Sequence, residues 1–244
     1  MKKHSIFIRQ TAAILLLCLF ASIFVGCKKE EQGKIENNSI VFYDYFDTIT
    51  QITDYSGKGK ESFDSAVMAI ESLLDYYHKV FDIYHEYGGM NNLATVNKKA
   101  GVEPVRVDKS LIDFLEYARD LYYLTDGNVN IAMGSVLSIW HKYREIGVEI
   151  PTEHELTEAN LHTDIANMII DRANSTVYLA DSEMSLDVGA IAKGYACEKI
   201  ASSLESAGYS SYVLDLGGNL RAIGHKPDGS TWRTAVRNPV IISR

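Results

Sequence analysis

Asp187, Gly189, Lys193 and Gly194 stand close together in the run Leu186-Asp-Val-Gly-Ala-Ile-Ala-Lys-Gly-Tyr-Ala196. A β-patterned stretch precedes them and a helical one follows. A helix that opens just after a glycine turn presents free N–H groups and the positive end of its dipole, which together attract anions. Lys193 in that first turn opposes the dipole by about 0.3–1 kcal/mol, and a bound phosphate or carboxylate would turn the penalty into attraction. Glycines 189 and 194 would let a ligand approach the backbone. The run is neither a Walker loop, since its Lys precedes the second Gly, nor a G-x-G-x-x-G turn. An ordinary βα turn with an exposed Lys explains these residues equally well. Thr125-Asp-Gly-Asn-Val-Asn130 and Asp215-Leu-Gly-Gly-Asn219 pose the same choice between a polar ligand loop and a turn made of favoured turn residues.

Other chemistries find little support. The histidines form no H-E-x-x-H pattern, and no G-x-S-x-G is present. Cys197 lies on a helical face and reads as small core packing. The chain carries a net charge of −8, and residues 1–26 contribute +3, so the remainder carries about −11. That balance excludes a nucleic-acid partner, which would need a basic stripe.

The elements that must position these residues alternate without strict βαβ order. Ile40–Ile52 has the aromatic and β-branched content of a strand or bent hairpin arm. Apolar residues from Phe63 to Phe81 and from Leu111 to Tyr122 fall in helical stripes, the second closed by Gly127. A short helix should end at Gly147, and Thr152-x-x-Glu155 is a capping box for another. Met168–Ile170 and Thr176–Leu179 read as a hairpin and Ser185–Val188 as a short strand. Ile191–Ala207 reads as a helix, and Tyr212–Leu216, Arg221–Ile223 and Trp232–Val236 as further strands. The expected fold class is α+β, a single mixed α/β domain.

The N-terminus has the pattern of an export signal. Lys2, Lys3 and Arg9 precede the apolar stretch Thr11–Val25, which ends in Phe24-Val-Gly-Cys27. That ending resembles a bacterial lipobox, which implies a signal peptide over residues 1–26 and lipidation at Cys27. Residues 27–39 read as a polar tether and 40–244 as the folded domain. The expected location is therefore extracytoplasmic, anchored to a membrane through lipid.

Taken in order, the Thr125–Asn130, Leu186–Ala196 and Leu216–Gly224 blocks resemble the ApbE family of FAD:protein FMN transferases. Phe46-Asp-Thr48 is similar to an early Met-Gly-Thr block of that family. Phe81-Asp-Ile-Tyr84, with Asn97 downstream, is similar to its next block. The resemblance implies that Phe46, Tyr84, Asn128, Val129, Asn130, Asp187 and Lys193 bind FAD. It implies that Ala190 gives a backbone oxygen to Mg²⁺. It also implies that FMN passes from FAD to a Thr or Ser of an acceptor, with flavoprotein subunits of Rnf- or Nqr-type electron-transport complexes as partners. Phe46 stands where the family has Met, and Asn130 where many members have Asp. The family continues past the Trp232 strand to its main metal ligands, so the resemblance implies that the domain's C-terminal part is missing here. Two other readings share the N-terminal pattern: a solute-binding lipoprotein with two α/β lobes, and a relative that binds or hydrolyses FAD without transferring FMN.

Overall fold

Period-two alternation governs the first sheet. In β1 (Asn38–Phe42) and β2 (Thr50–Asp54) every second side chain turns inward, and Thr50, Ile52 and Asp54 are fully buried. The structure, a computed structural model, describes residues 37–235. The signal segment, Cys27, most of the tether and the chain from residue 236 onward lie outside the described residues. β1 and β2 form an antiparallel hairpin, and β2 pairs in turn with β6 (Tyr212–Leu216), opposing Ile52 to Leu214. β7 (Asn219–Ile223) completes the order β1-β2-β6-β7. The span read as one bent arm thus contains a seven-residue loop, 43–49, in which Phe46 and Asp47 adopt left-handed φ values of 57° and 49°.

α1 (Lys60–Phe81) follows the predicted stripe, burying Phe63, Val67, Ile70, Leu74 and Phe81. It packs along α6 (Ala192–Ser206), which lies against β6 and β7. Two elements had no counterpart in the sequence expectations. α2 (Leu93–Lys98) opens on Asn92, which is fully buried. The Asn92 side chain accepts from Thr95 N–H and donates to the Lys79 and His85 carbonyls, joining α1, the intervening loop and α2. The second is β3 (Val105–Arg106), a two-residue edge strand.

β3 pairs with β5 (Thr176–Leu179), and β5 with β4 (Met168–Asp171), in a second antiparallel sheet. The β4–β5 turn is the one expected around Arg172–Ser175. Its Arg172 pairs with Asp113 and Glu116 of α3 (Lys109–Leu124). α4 (Gly134–Ile146) ends on Gly147 in the left-handed conformation, φ 77°. α5 (Glu153–Asn160) opens with the reciprocal Thr152–Glu155 capping box. Antiparallel sheets with helices packed on them establish the α+β class.

Two expected strands, Trp232–Val236 and Ser185–Val188, are not formed among the described residues. Residues 231–235 carry no strand. Residues 185–188 pair with no strand because side chains and loops take their hydrogen bonds. Asn97 Oδ1 accepts Leu186 N–H at 2.8 Å, and Asn97 Nδ2 donates to the Leu186 carbonyl at 2.9 Å. Asp187 N–H donates to Ile131 O, and Gly134 N–H to Ser185 O. A Cβ on Gly134 would lie 2.5 Å from the Ser185 oxygen, so only glycine allows this approach. Among the described residues no helix is long and apolar enough to cross a membrane.

Candidate functional site

A cleft of about 570 Å³ opens between the 43–49 loop, the end of α1, α4 and the start of α6. Phe46, Tyr84 and the Asp187–Lys193 pair, drawn from three distant parts of the sequence, all line it. Each arrives by a separate device. Phe46 is fixed by its left-handed backbone and by its N–H, which donates to His78 Nδ1 at 3.1 Å. Tyr84 sits in the loop after α1. Asp187 leads into α6, its Oδ1 accepting Gly189 N–H at 2.9 Å. Lys193 is in the first turn of α6, whose N-cap Ile191 offers no side-chain hydrogen bond to the helix N–H groups. Gly189 lines the cleft, whereas a Cβ on Gly194 would meet Asn219 Oδ1 at 3.3 Å, so Gly194 serves packing against the β6–β7 turn.

Asn128, Val129, Asn130 and Ala190 are not among the lining residues. The 125–130 loop is braced internally: Asn128 Nδ2 donates to Thr125 O, and Val129 N–H to Thr125 Oγ1. Asn130 caps the short 3₁₀ turn Ile131–Met133 through Ala132 N–H and reaches Thr163 O with its amide. Just after the loop, the Ile131 carbonyl receives Asp187 N–H at 2.8 Å. Ala190 is exposed in the turn before α6. Asp215–Asn219 is the tight β6–β7 hairpin turn, with Gly217 and Gly218 both at positive φ.

The cleft contains groups to which the sequence analysis gave no role. Asp82, immediately after α1, has a side chain only 6% exposed. It accepts from Tyr84 N–H (2.7 Å), His85 N–H (3.1 Å) and Tyr87 Oη (2.7 Å), and pairs with His85 Nδ1 at 3.0 Å. Burial pushes its carboxyl up, but these hydrogen bonds outweigh burial and hold it below the ordinary carboxylate range. The stability from ionised Asp82 is therefore complete above the unfolded value near ~3.9 and is lost as pH falls through the lower folded value. Asp82→Asn is expected to lower the urea midpoint at neutral pH and to flatten the acid-side loss of stability below about pH 4. Urea titrations across that range check this, and a profile superimposable on wild type would refute it.

Tyr84 Oη lies 3.0 Å from His141 Nδ1, and His141 Nε2 lies 3.9 Å from Asp187 Oδ2. Desolvation of the hydroxyl and the nearby Asp187 carboxylate raise the Tyr84 phenol above its ordinary value. Asp44, Asp47, Asp82 and Asp187 face the cleft, against the cations Arg144 and Lys193. The lining thus joins aromatic surface, one cation at the N-terminus of α6 (Lys193), a second in the last turn of α4 (Arg144) and an excess of carboxylates. Such a set can stack a planar ring and position a phosphate, provided further positive charge offsets the acids. Among the described residues no three His, Cys, Asp or Glu side chains form a metal-holding group. With only a backbone oxygen from Ala190, the described residues do not compose a Mg²⁺ site.

A family model described as the ApbE family matches residues 46–243. The chain belongs to the ApbE family. Relatives named FAD:protein FMN transferase include one from Treponema pallidum, 28% identical over 98% of this chain and 67% of the relative. Another, from Vibrio cholerae, is 28% identical over 72% of this chain and 51% of the relative. The chain thus spans half to two thirds of the length of these relatives. The solved structure of the flavin transferase ApbE from Vibrio cholerae superimposes with a TM-score of 0.72 at 24% identity, covering 84% of this chain and 64% of that one. An ApbE protein from Thermotoga maritima gives a TM-score of 0.66 at 24% identity, over 78% and 60%. These two likenesses show the ApbE fold.

Proposed function

We propose that this chain holds FAD in the cleft and belongs to an enzyme that transfers FMN from FAD to a protein. The observation that carries the reading is the convergence of Phe46, Tyr84, Asp187 and Lys193 on one cavity at the start of α6. The flavin ring stacks on the aromatic wall of Phe46 and Tyr84, and Lys193 and the α6 N-terminus face the pyrophosphate. Asn128–Asn130 support Asp187 from behind through Ile131, and a flavin contact from this loop belongs to the same proposal. In the reaction, a Thr or Ser hydroxyl oxygen of the acceptor bonds to the FMN-side phosphorus. The bond from that phosphorus to the AMP oxygen breaks, and AMP leaves. The chain's own residues contribute by positioning.

Mg²⁺, with Ala190 among its ligands, is the cation proposed to offset the acidic lining. Cys27 is the proposed lipid attachment point, placing the enzyme outside the cytoplasm on a membrane. Flavoprotein subunits of Rnf- or Nqr-type complexes are the proposed acceptors. A solute-binding lipoprotein would need two α/β lobes, and the ApbE fold of the described residues speaks against that reading. A hydrolytic relative would put water in place of the acceptor hydroxyl, releasing FMN and AMP with no flavin left on protein.

FAD binding to the 244-residue chain, followed by quenching of flavin fluorescence, tests the proposal. Asp187→Ala and Lys193→Ala are each expected to weaken binding about tenfold, the loss of one charge-assisted contact. Absence of binding by the folded chain, or affinity indifferent to both substitutions, would remove the flavin site from this cleft.

A further inference from the structure

We propose that His141 is a positioning residue of this site, fixing the Tyr84 ring and the Asp187 carboxylate relative to each other before the dinucleotide binds. The inference rests on reading the cleft as an FAD site. Tyr84 is 62% exposed. Among the described residues its aromatic neighbours are His85, edge-on at a centroid distance of 6.5 Å, and His141, tilted by 44° at 6.2 Å. Packing alone leaves such a side chain free to change rotamer, and a ligand that stacks on it must remove that freedom. The hydrogen bond to His141 removes it in advance. It links residues 57 apart in the chain, one on the loop after α1 and one on α4.

In the tautomer that serves this link, the Tyr84 hydroxyl donates to Nδ1 and the ring proton sits on Nε2. Nε2 faces Asp187 Oδ2 at 3.9 Å, beyond a direct hydrogen bond by a distance that a small side-chain shift would close. Asp187 Oδ1 is already engaged by Gly189 N–H, so Oδ2 is the oxygen left to be oriented. Tyr84, His141 and Asp187 therefore form a chain across the cleft, from the aromatic wall to the start of α6. Arg144, one turn further along α4, lines the same wall.

A double-mutant cycle on the full chain tests this, with FAD affinity and thermal midpoint as readouts. Tyr84→Phe keeps the ring but loses its tether, and His141→Ala removes the partner. Each is expected to weaken FAD binding about fivefold, the effect of one hydrogen bond. The double variant should bind no more weakly than His141→Ala, because both substitutions break the same link. His141→Asn, whose amide can still meet the Tyr84 hydroxyl, should recover to within about twofold of wild type. Midpoints should stay together, separating positioning from folding. Multiplicative effects of the two single substitutions, or wild-type affinity in His141→Ala, would overturn the inference and leave the flavin reading intact. Failure of the wild-type chain to bind FAD would overturn both.

Discussion

Asn97→Ala is expected to cost about 2–5 kcal/mol of folding stability and to weaken FAD binding more than tenfold. Both polar atoms of this amide bond the backbone of one residue, Leu186, whose side chain is fully buried. Truncation leaves one buried N–H and one buried carbonyl without partners, at about 1–3 kcal/mol each. Ala is the better helix former, so any propensity effect in α2 works against the expected loss. Because Leu186 immediately precedes Asp187, loosening it also displaces the carboxylate at the cleft. Asn97→Asp keeps the acceptor and loses the donor, and should fall between Ala and wild type. Urea unfolding and FAD titration of the three proteins check the order. Wild-type stability in Asn97→Ala would show that the 184–188 segment is held by its loop contacts alone.

This clamp marks the boundary of what the sequence makes legible. Stripes of period 3.6 locate α1 and α3 because their buried faces repeat, and the Thr152–Glu155 box and Gly147 act within one turn of the chain. The segment 185–188 has the composition of a strand, but its partners are a side chain 89 residues away and backbone groups of the 3₁₀ turn and of the first residue of α4. No local pattern encodes that choice. α2 escapes notice for a related reason: its reciprocal cap is Asn92 with Thr95, whereas the familiar box ends in Glu or Gln. At the site, the Leu186–Ala196 run marks Asp187 and Lys193, and the resemblance to the ApbE family supplies Phe46 and Tyr84. His141 and Arg144 come from the short helix that closes at Gly147, where no motif singles them out, and Asp82 stands in the Phe81–Tyr84 block without a role assigned to it. Their roles arise from distances set by the tertiary fold.

The tie between core and cleft gives the second large effect: Phe114→Ala is expected to cost about 3–5 kcal/mol, a major part of the ~5–15 kcal/mol that stabilises a typical domain. Phe114 is fully buried on α3. Its ring lies 4.2 Å from Phe81 of α1 and 4.9 Å from Tyr195 of α6 (centroid to centroid), so one side chain joins three helices. Phe81 directly precedes Asp82, and Tyr195 is two residues from Lys193, so collapse around the vacated volume draws on both walls of the cleft. The expected result is a large fall in urea midpoint together with weaker FAD binding by the molecules that remain folded. Phe114→Leu retains most of the volume and should cost roughly 1–2 kcal/mol with little effect on binding. The ratio of the two losses is the informative quantity. A Phe114→Ala protein that is destabilised but binds FAD as wild type does would mean that the 82–87 loop and the α6 N-terminus are fixed by their own hydrogen bonds. A joint loss would mean that the aromatic core sets the width of the cleft.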